Sequence, residues 1–121
     1  MFPTVKYSVA ANRYVPFVDY VDVAGADFTG AVVAMEIRDR PNGGAVRAAI
    51  TPTITVTTEE GVPVSRIAYT VSEADMEAMP THPTDPSKDV TFYYDVHLTP
   101  DGGTKFIPFG GEFVVRAGVT Q

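Results

Sequence analysis

Residues 90 to 116 constrain the fold more than any other stretch. They read VTFYYDVHL, then TPDGG, then TKFIPFGGEFVVR, two long strand-like runs joined by a glycine turn. In the first run Phe92, Tyr94, Val96 and Leu98 share one face while Tyr93, Asp95 and His97 share the other, the period of two of a half-buried antiparallel strand. One face packs and the other meets water or a partner. Asp101-Gly102-Gly103 lets the chain reverse within a few residues, because glycine takes positive φ without a Cβ clash, and the return strand is expected from Thr104. Such a hairpin specifies a sheet and names no chemistry.

The rest of the chain repeats this grammar. Val5, Tyr7 and Val9 alternate in a short run, and a longer run from Arg13 to Val23 surrounds Pro16, which lacks an N–H and so belongs on an edge, at a bulge or between two strands. AGADFTG, residues 24 to 30, is a loop that feeds AVVAMEIRDR, where Val33, Met35 and Ile37 face inward and Glu36 and Arg38 outward. A turn at Arg40-Pro-Asn-Gly-Gly leads into a strand from Ala45 to Thr58, which Pro52 either breaks or marks as an edge. After Glu59-Glu60-Gly61 the chain returns from Val62 to Val71, with Ile67, Tyr69 and Val71 as core positions. One helix is predicted: Ser72 is a suitable N-cap, Glu73 and Asp75 favour the first turn, Met76 and Met79 cover the core, and Pro80 stops propagation. Thr81 to Asp89 holds two prolines and reads as a mobile loop. Gly110-Gly111 interrupts the last strand and is expected to form a bulge between Ile107 and Phe113.

Seven or eight short strands with a turn about every ten residues point to an all-β fold, an immunoglobulin-like antiparallel β-sandwich with one short helix. At 121 residues the chain is expected to form a single domain over 1-121, with a radius of gyration of roughly 14 Å. It is 45% hydrophobic, with seven Phe and six Tyr, enough apolar surface to fold without a cofactor. Without cysteine it has neither disulfide staples nor thiolate chemistry, and redox compartment stays open. A formal charge of −6 argues against nucleic acid as a partner. Lys6, Asn12, Arg13 and two prolines interrupt the apolar N-terminal run, so neither a signal peptide nor membrane insertion is expected.

Few side chains suggest chemistry. His82 precedes Pro83 in a polar loop and His97 sits on an outer strand face, both read as solvated. Asp19, Asp22 and Asp27 precede the first core strand with a spacing that does not match a calcium loop, and they read, like Glu59, Glu60, Glu73, Asp75 and Glu77, as surface charge. The glycines match no phosphate-binding pattern and punctuate turns instead. Tyr93, Tyr94, Phe106 and Phe109 suit either a sugar-stacking or protein-binding patch or, more commonly, cross-strand pairs inside a core. No catalytic, cofactor-binding or metal-ligating residue is assigned.

Several short motifs together resemble small phage and prophage tail-region proteins. They are Asp27 to Gly30 with Arg38, the Ser72 to Pro80 helix, Tyr94-Asp95-Val96, the Asp101-Gly102 turn and Val115 to Thr120, spread over about three quarters of the chain. The 81 to 89 loop departs from the outline, which has a tight helix-to-strand turn there. The resemblance implies a non-enzymatic structural or adaptor protein of the tail tip, baseplate or tail-fibre attachment region. It would reside in the virion after synthesis in the bacterial host cytoplasm. Other phage tail proteins, and the chain itself as a homo-oligomer, are the implied partners. A carbohydrate-binding or adhesion β-sandwich, with Tyr93 stacking on sugar, is the alternative.

Overall fold

The computed structural model describes residues 5–41 and 43–117. Position 42 of the Arg40 turn, the first four residues of the N-terminal run and residues 118–120 of the closing motif lie outside the described residues. The strands in chain order are β1 (Val5–Lys6), β2 (Val9–Asn12), β3 (Phe17–Ala24), β4 (Val32–Arg40), β5 (Gly43–Ile50), β6 (Thr53–Glu59) and β7 (Val62–Val71). A helix α1 (Glu73–Ala78) follows, and β8 (Val90–Thr99) and β9 (Phe106–Arg116) close the chain.

Two sheets share one core. The larger runs β1-β9-β8-β4-β5, with β2 also on β9, and the smaller runs β3-β7-β6. In the immunoglobulin scheme β3, β7 and β6 take the places of strands B, E and D, and β9, β8, β4 and β5 those of G, F, C and C′. All pairings are antiparallel except two: β1 and β2 lie parallel to β9, with Val5 opposite Phe109 and Ala11 opposite Val115. The nine described strands make eight if β1 and β2 count as one interrupted edge strand, and the interruption falls at Tyr7-Ser8, inside the run expected from Val5 to Val9.

The prolines divide strands as their missing N–H dictates. Pro16 ends the turn before β3, and Pro52 separates β5 from β6 where the chain leaves one sheet for the other. Gly110-Gly111 forms no bulge: Tyr94 pairs with Gly111 and Asp95 with Gly110 in unbroken register. The irregularity lies earlier, between the Val96–Phe109 and Leu98–Phe106 pairs, so the extra residue falls at Ile107-Pro108, where a ladder N–H is lacking. Return pairing starts at Phe106, two residues beyond Thr104.

The inward positions expected from the alternation are the core. Ile37, Ile67, Val71, Val96, Leu98, Phe113 and Val115 have no exposed surface, and Met76 and Met79 cover the core as expected. With no cysteine or tryptophan to pin the sheets together, aromatic rings take that role. Phe17 meets Phe113 edge-on at 5.4 Å between centroids, and Tyr69 lies 6.4 Å from both Tyr94 and Phe109. Each such pair adds about 0.5–1.5 kcal/mol beyond its buried area. Tyr94 and Phe109 are thus core residues, and the cross-strand reading holds for them.

Helix α1 begins as its cap predicts, with Ser72 Oγ accepting the Asp75 N–H at 3.1 Å. At its other end the buried Arg13, which precedes β3 by only a few residues, donates to the carbonyls of Met79 and Pro80, the latter at 3.0 Å. The 81–89 loop carries its own ties: His82 Nδ1 accepts the N–H of Thr84 and of Asp85, each at 3.2 Å.

Hairpin β6–β7 turns through Glu60 at φ 51° and Gly61 at φ 79°, the two positive values that a type I′ turn requires. Glutamate has a Cβ to strain there; asparagine tolerates the left-handed region better. Glu60→Asn is therefore expected to stabilise the fold by about 0.5–1 kcal/mol, read as a higher urea midpoint at unchanged slope.

Candidate functional site

The outer face of the larger sheet carries the polar residues that alternation directs away from the core. Arg38 lies opposite Tyr93, and Tyr93 opposite Glu112. One row along, Glu36 faces Asp95, Asp95 faces Gly110, and Lys6 of β1 lies beyond Gly110. Gly110 carries no side chain and is itself buried, packed against the Tyr94–Asp95 backbone. A groove of about 550 Å³ lies on this face, lined among others by Lys6, Arg38, Arg40, Tyr93, Asp95 and Glu112.

Its electrostatics are partly compensated. Glu36 and Asp95 are like charges placed directly across the β4–β8 ladder, an arrangement that alone destabilises. Arg38 relieves it by pairing with Glu36, and His97 Nε2 stands 3.2 Å from Asp95 Oδ1. That second contact is one of proximity, since Asp95 Oδ1 is shielded from water yet meets no donor at hydrogen-bond angles. Lys6, Arg40 and Glu112 add two positive charges and one negative to the rim.

The remaining acids do not converge. Among the described residues no three His, Asp or Glu side chains gather to hold a metal ion. Asp22 is held by Arg66 Nε at 2.8 Å, which keeps its carboxyl below the usual range. Asp27 accepts from the Thr29 hydroxyl and N–H, with the same effect. Asp39 is likewise lowered by Arg47, across the β4–β5 hairpin.

Asp19 stands apart. It lies in phase with Phe17, Val21 and Val23, so it faces inward from β3, directly opposite Tyr69. Reading it as one of three surface aspartates overlooked that phase, although the FVDYVDV pattern contains it. Phe106 is half-buried, in tilted contact with Phe28, so of the four aromatic residues only Tyr93 belongs to the outer face. Ser65 also escaped notice: fully buried, it donates to the Ala26 carbonyl at 2.8 Å and accepts the Phe28 N–H at 3.0 Å, fastening the 25–31 loop to β7.

Compared with known proteins, the chain matches no family model and no curated protein. Among the described residues no helix is long and apolar enough to cross a membrane.

Proposed function

We propose that this chain is a non-enzymatic structural or adaptor module of a phage or prophage tail, in the tip, baseplate or tail-fibre attachment region. It works through protein–protein contacts, with other tail proteins and a second copy of itself as partners, and its place is the virion. The observation that carries the contact reading is the groove on the outer face of the larger sheet. The Tyr93 ring and a rim of both charge signs suit recognition of a protein segment. The tail assignment rests on the resemblance of the loop, helix and closing-hairpin motifs.

Light scattering on the purified chain tests this together with binding to tail proteins encoded beside it. A mass that is a multiple of 13.0 kDa, falling to the monomer in Arg38→Glu/Tyr93→Ala with the thermal midpoint retained, is the expected result. A strict monomer at every concentration that binds none of those proteins sinks the proposal. A second reading draws on Tyr93 lying in the groove beside Arg38, Asp95 and Glu112, an aromatic ring among polar groups of the kind that holds a sugar. Glycan-array binding that vanishes in Tyr93→Ala would select it.

A further inference from the structure

On the side of the sandwich where β3 faces the break between β1 and β2, a cleft of about 320 Å³ opens between the two sheets. Tyr7, Ser8, Asp19, Tyr69 and Tyr94 line it. Tyr94 spends its proton on the Tyr7 carbonyl, 2.8 Å away, which leaves the Tyr94 oxygen lone pairs free to accept. Tyr69 is only 3% exposed, and its hydroxyl meets no hydrogen-bond partner. Tyr94 and Asp19 are near enough to act on that hydroxyl, and with burial as the main cause they push its pKa far up, but neither meets it at bonding geometry. Burial likewise pushes Tyr94 up to about 12, so both phenols stay neutral, and Asp19 and Asp22 are the carboxyl groups that line the cleft. Asp19 Oδ1 accepts the Tyr20 N–H at 2.8 Å, and among the described residues no cation pairs with it. The neighbouring Asp22 is already committed to Arg66, whose guanidinium also covers the Tyr20 ring at 3.8 Å.

A carboxylate without a cationic partner on an inward strand position, an orphaned buried hydroxyl and further oxygen acceptors between aromatic rings form a surface that lacks a donor bearing positive charge. We propose that this cleft binds an alkylammonium group, the end of a lysine side chain or a free primary amine. The ammonium donates to Asp19 and to the Tyr69 and Tyr94 oxygens, and the rings face its charge and adjacent methylenes. The cleft lies apart from the outer-face groove, so the inference stands independently of the contact proposed there. The plainer role for Asp19 is an inward charge that discourages pairing at the free edge of β3. That role requires no amine.

Titration of the full chain, followed by NMR at the Tyr69 and Tyr94 rings, separates the two. The probes are Nα-acetyl-lysine methylamide, its Nε-acetylated counterpart and n-butylammonium. The lysine probe is expected to shift both rings and to bind at least about tenfold more tightly than the acetylated one, with a similar loss in Asp19→Asn and in Tyr69→Phe. Tyr69→Phe removes only an unpaired hydroxyl and so remains folded. Equal binding of butylammonium and the lysine probe assigns the site to free amines; preference for the lysine probe assigns it to a protein side chain. No ring shift with either amine, equal binding of the acetylated probe, or unchanged affinity in Asp19→Asn overturns the proposal.

Discussion

Gly111→Ala is expected to destabilise the fold by about 3 kcal/mol and to loosen β1 and β2 from β9. A Cβ at this position would stand 2.5 Å from the Tyr7 carbonyl oxygen, 2.9 Å from its carbon and 3.2 Å from its nitrogen. All three are backbone atoms, so no side chain can swing aside to make room. On the opposite side β9 is held by β8, because even a Cβ at Gly110 would meet the Tyr94 carbonyl oxygen at 2.6 Å. The strain therefore falls on the weaker parallel pairing. Chemical denaturation measures the loss, and amide exchange at Tyr7, whose N–H donates to the Gly110 carbonyl at 2.8 Å, localises it. Unchanged protection at Tyr7 would mean that β9 itself moves and that the parallel pairing is not the seam that yields.

Arg13→Met is the second large effect, again about 3 kcal/mol, since it removes charge-assisted bonds and leaves acceptors unpaired. Arg13 is 4% exposed and donates to the carbonyls of Met79 and Pro80. A six-residue helix leaves most of its carbonyls without intrahelical partners, and α1 has no basic residue in its last turn. The guanidinium from another part of the chain fills that place and faces the negative end of the helix. Methionine keeps much of the apolar stem and deletes only the fork. Arg13→Lys is expected to recover part of the loss, because one ammonium does not reproduce a planar two-pronged donor. A Met variant within about 0.5 kcal/mol of the parent would show that water satisfies both carbonyls equally well.

These two sites mark where reading residues in order stops being informative. Strand alternation was legible where one face is fully buried, as in β4, β7 and β8, because the period of two is set by burial itself. The stop signals at Pro52 and Pro80 were equally plain, since a missing N–H acts locally. Arg13 carried no such signal: its acceptors lie 66 and 67 residues away, and nothing in NRYVP distinguishes a buried arginine from an exposed one. Gly110-Gly111 suggested a bulge because glycine inside a strand has two explanations, local bending and close approach of another chain segment. Only the neighbouring segments, Tyr7 beside Gly111 and β8 beside Gly110, decide between them. The outer-face residues Tyr93, Asp95 and His97 were placed correctly by phase. The groove was not foreseen, because it depends on which neighbours β4 and β9 bring alongside.

The parallel seating of β1 and β2 on β9 bears on how the chain acquires its shape. Val5 is matched with Phe109 and Asn12 with Arg116, partners that lie almost a whole chain apart, whereas the β6–β7 and β4–β5 hairpins close within a few residues. Closing so long a loop costs entropy before any contact compensates for it, so the opening segment is the last to find its place. During synthesis it waits, unpaired, until β9 has been made. A nascent chain that stalls before Phe106 exposes two raw edges at once, that of β8 and that of the early strands, and invites pairing with another such chain.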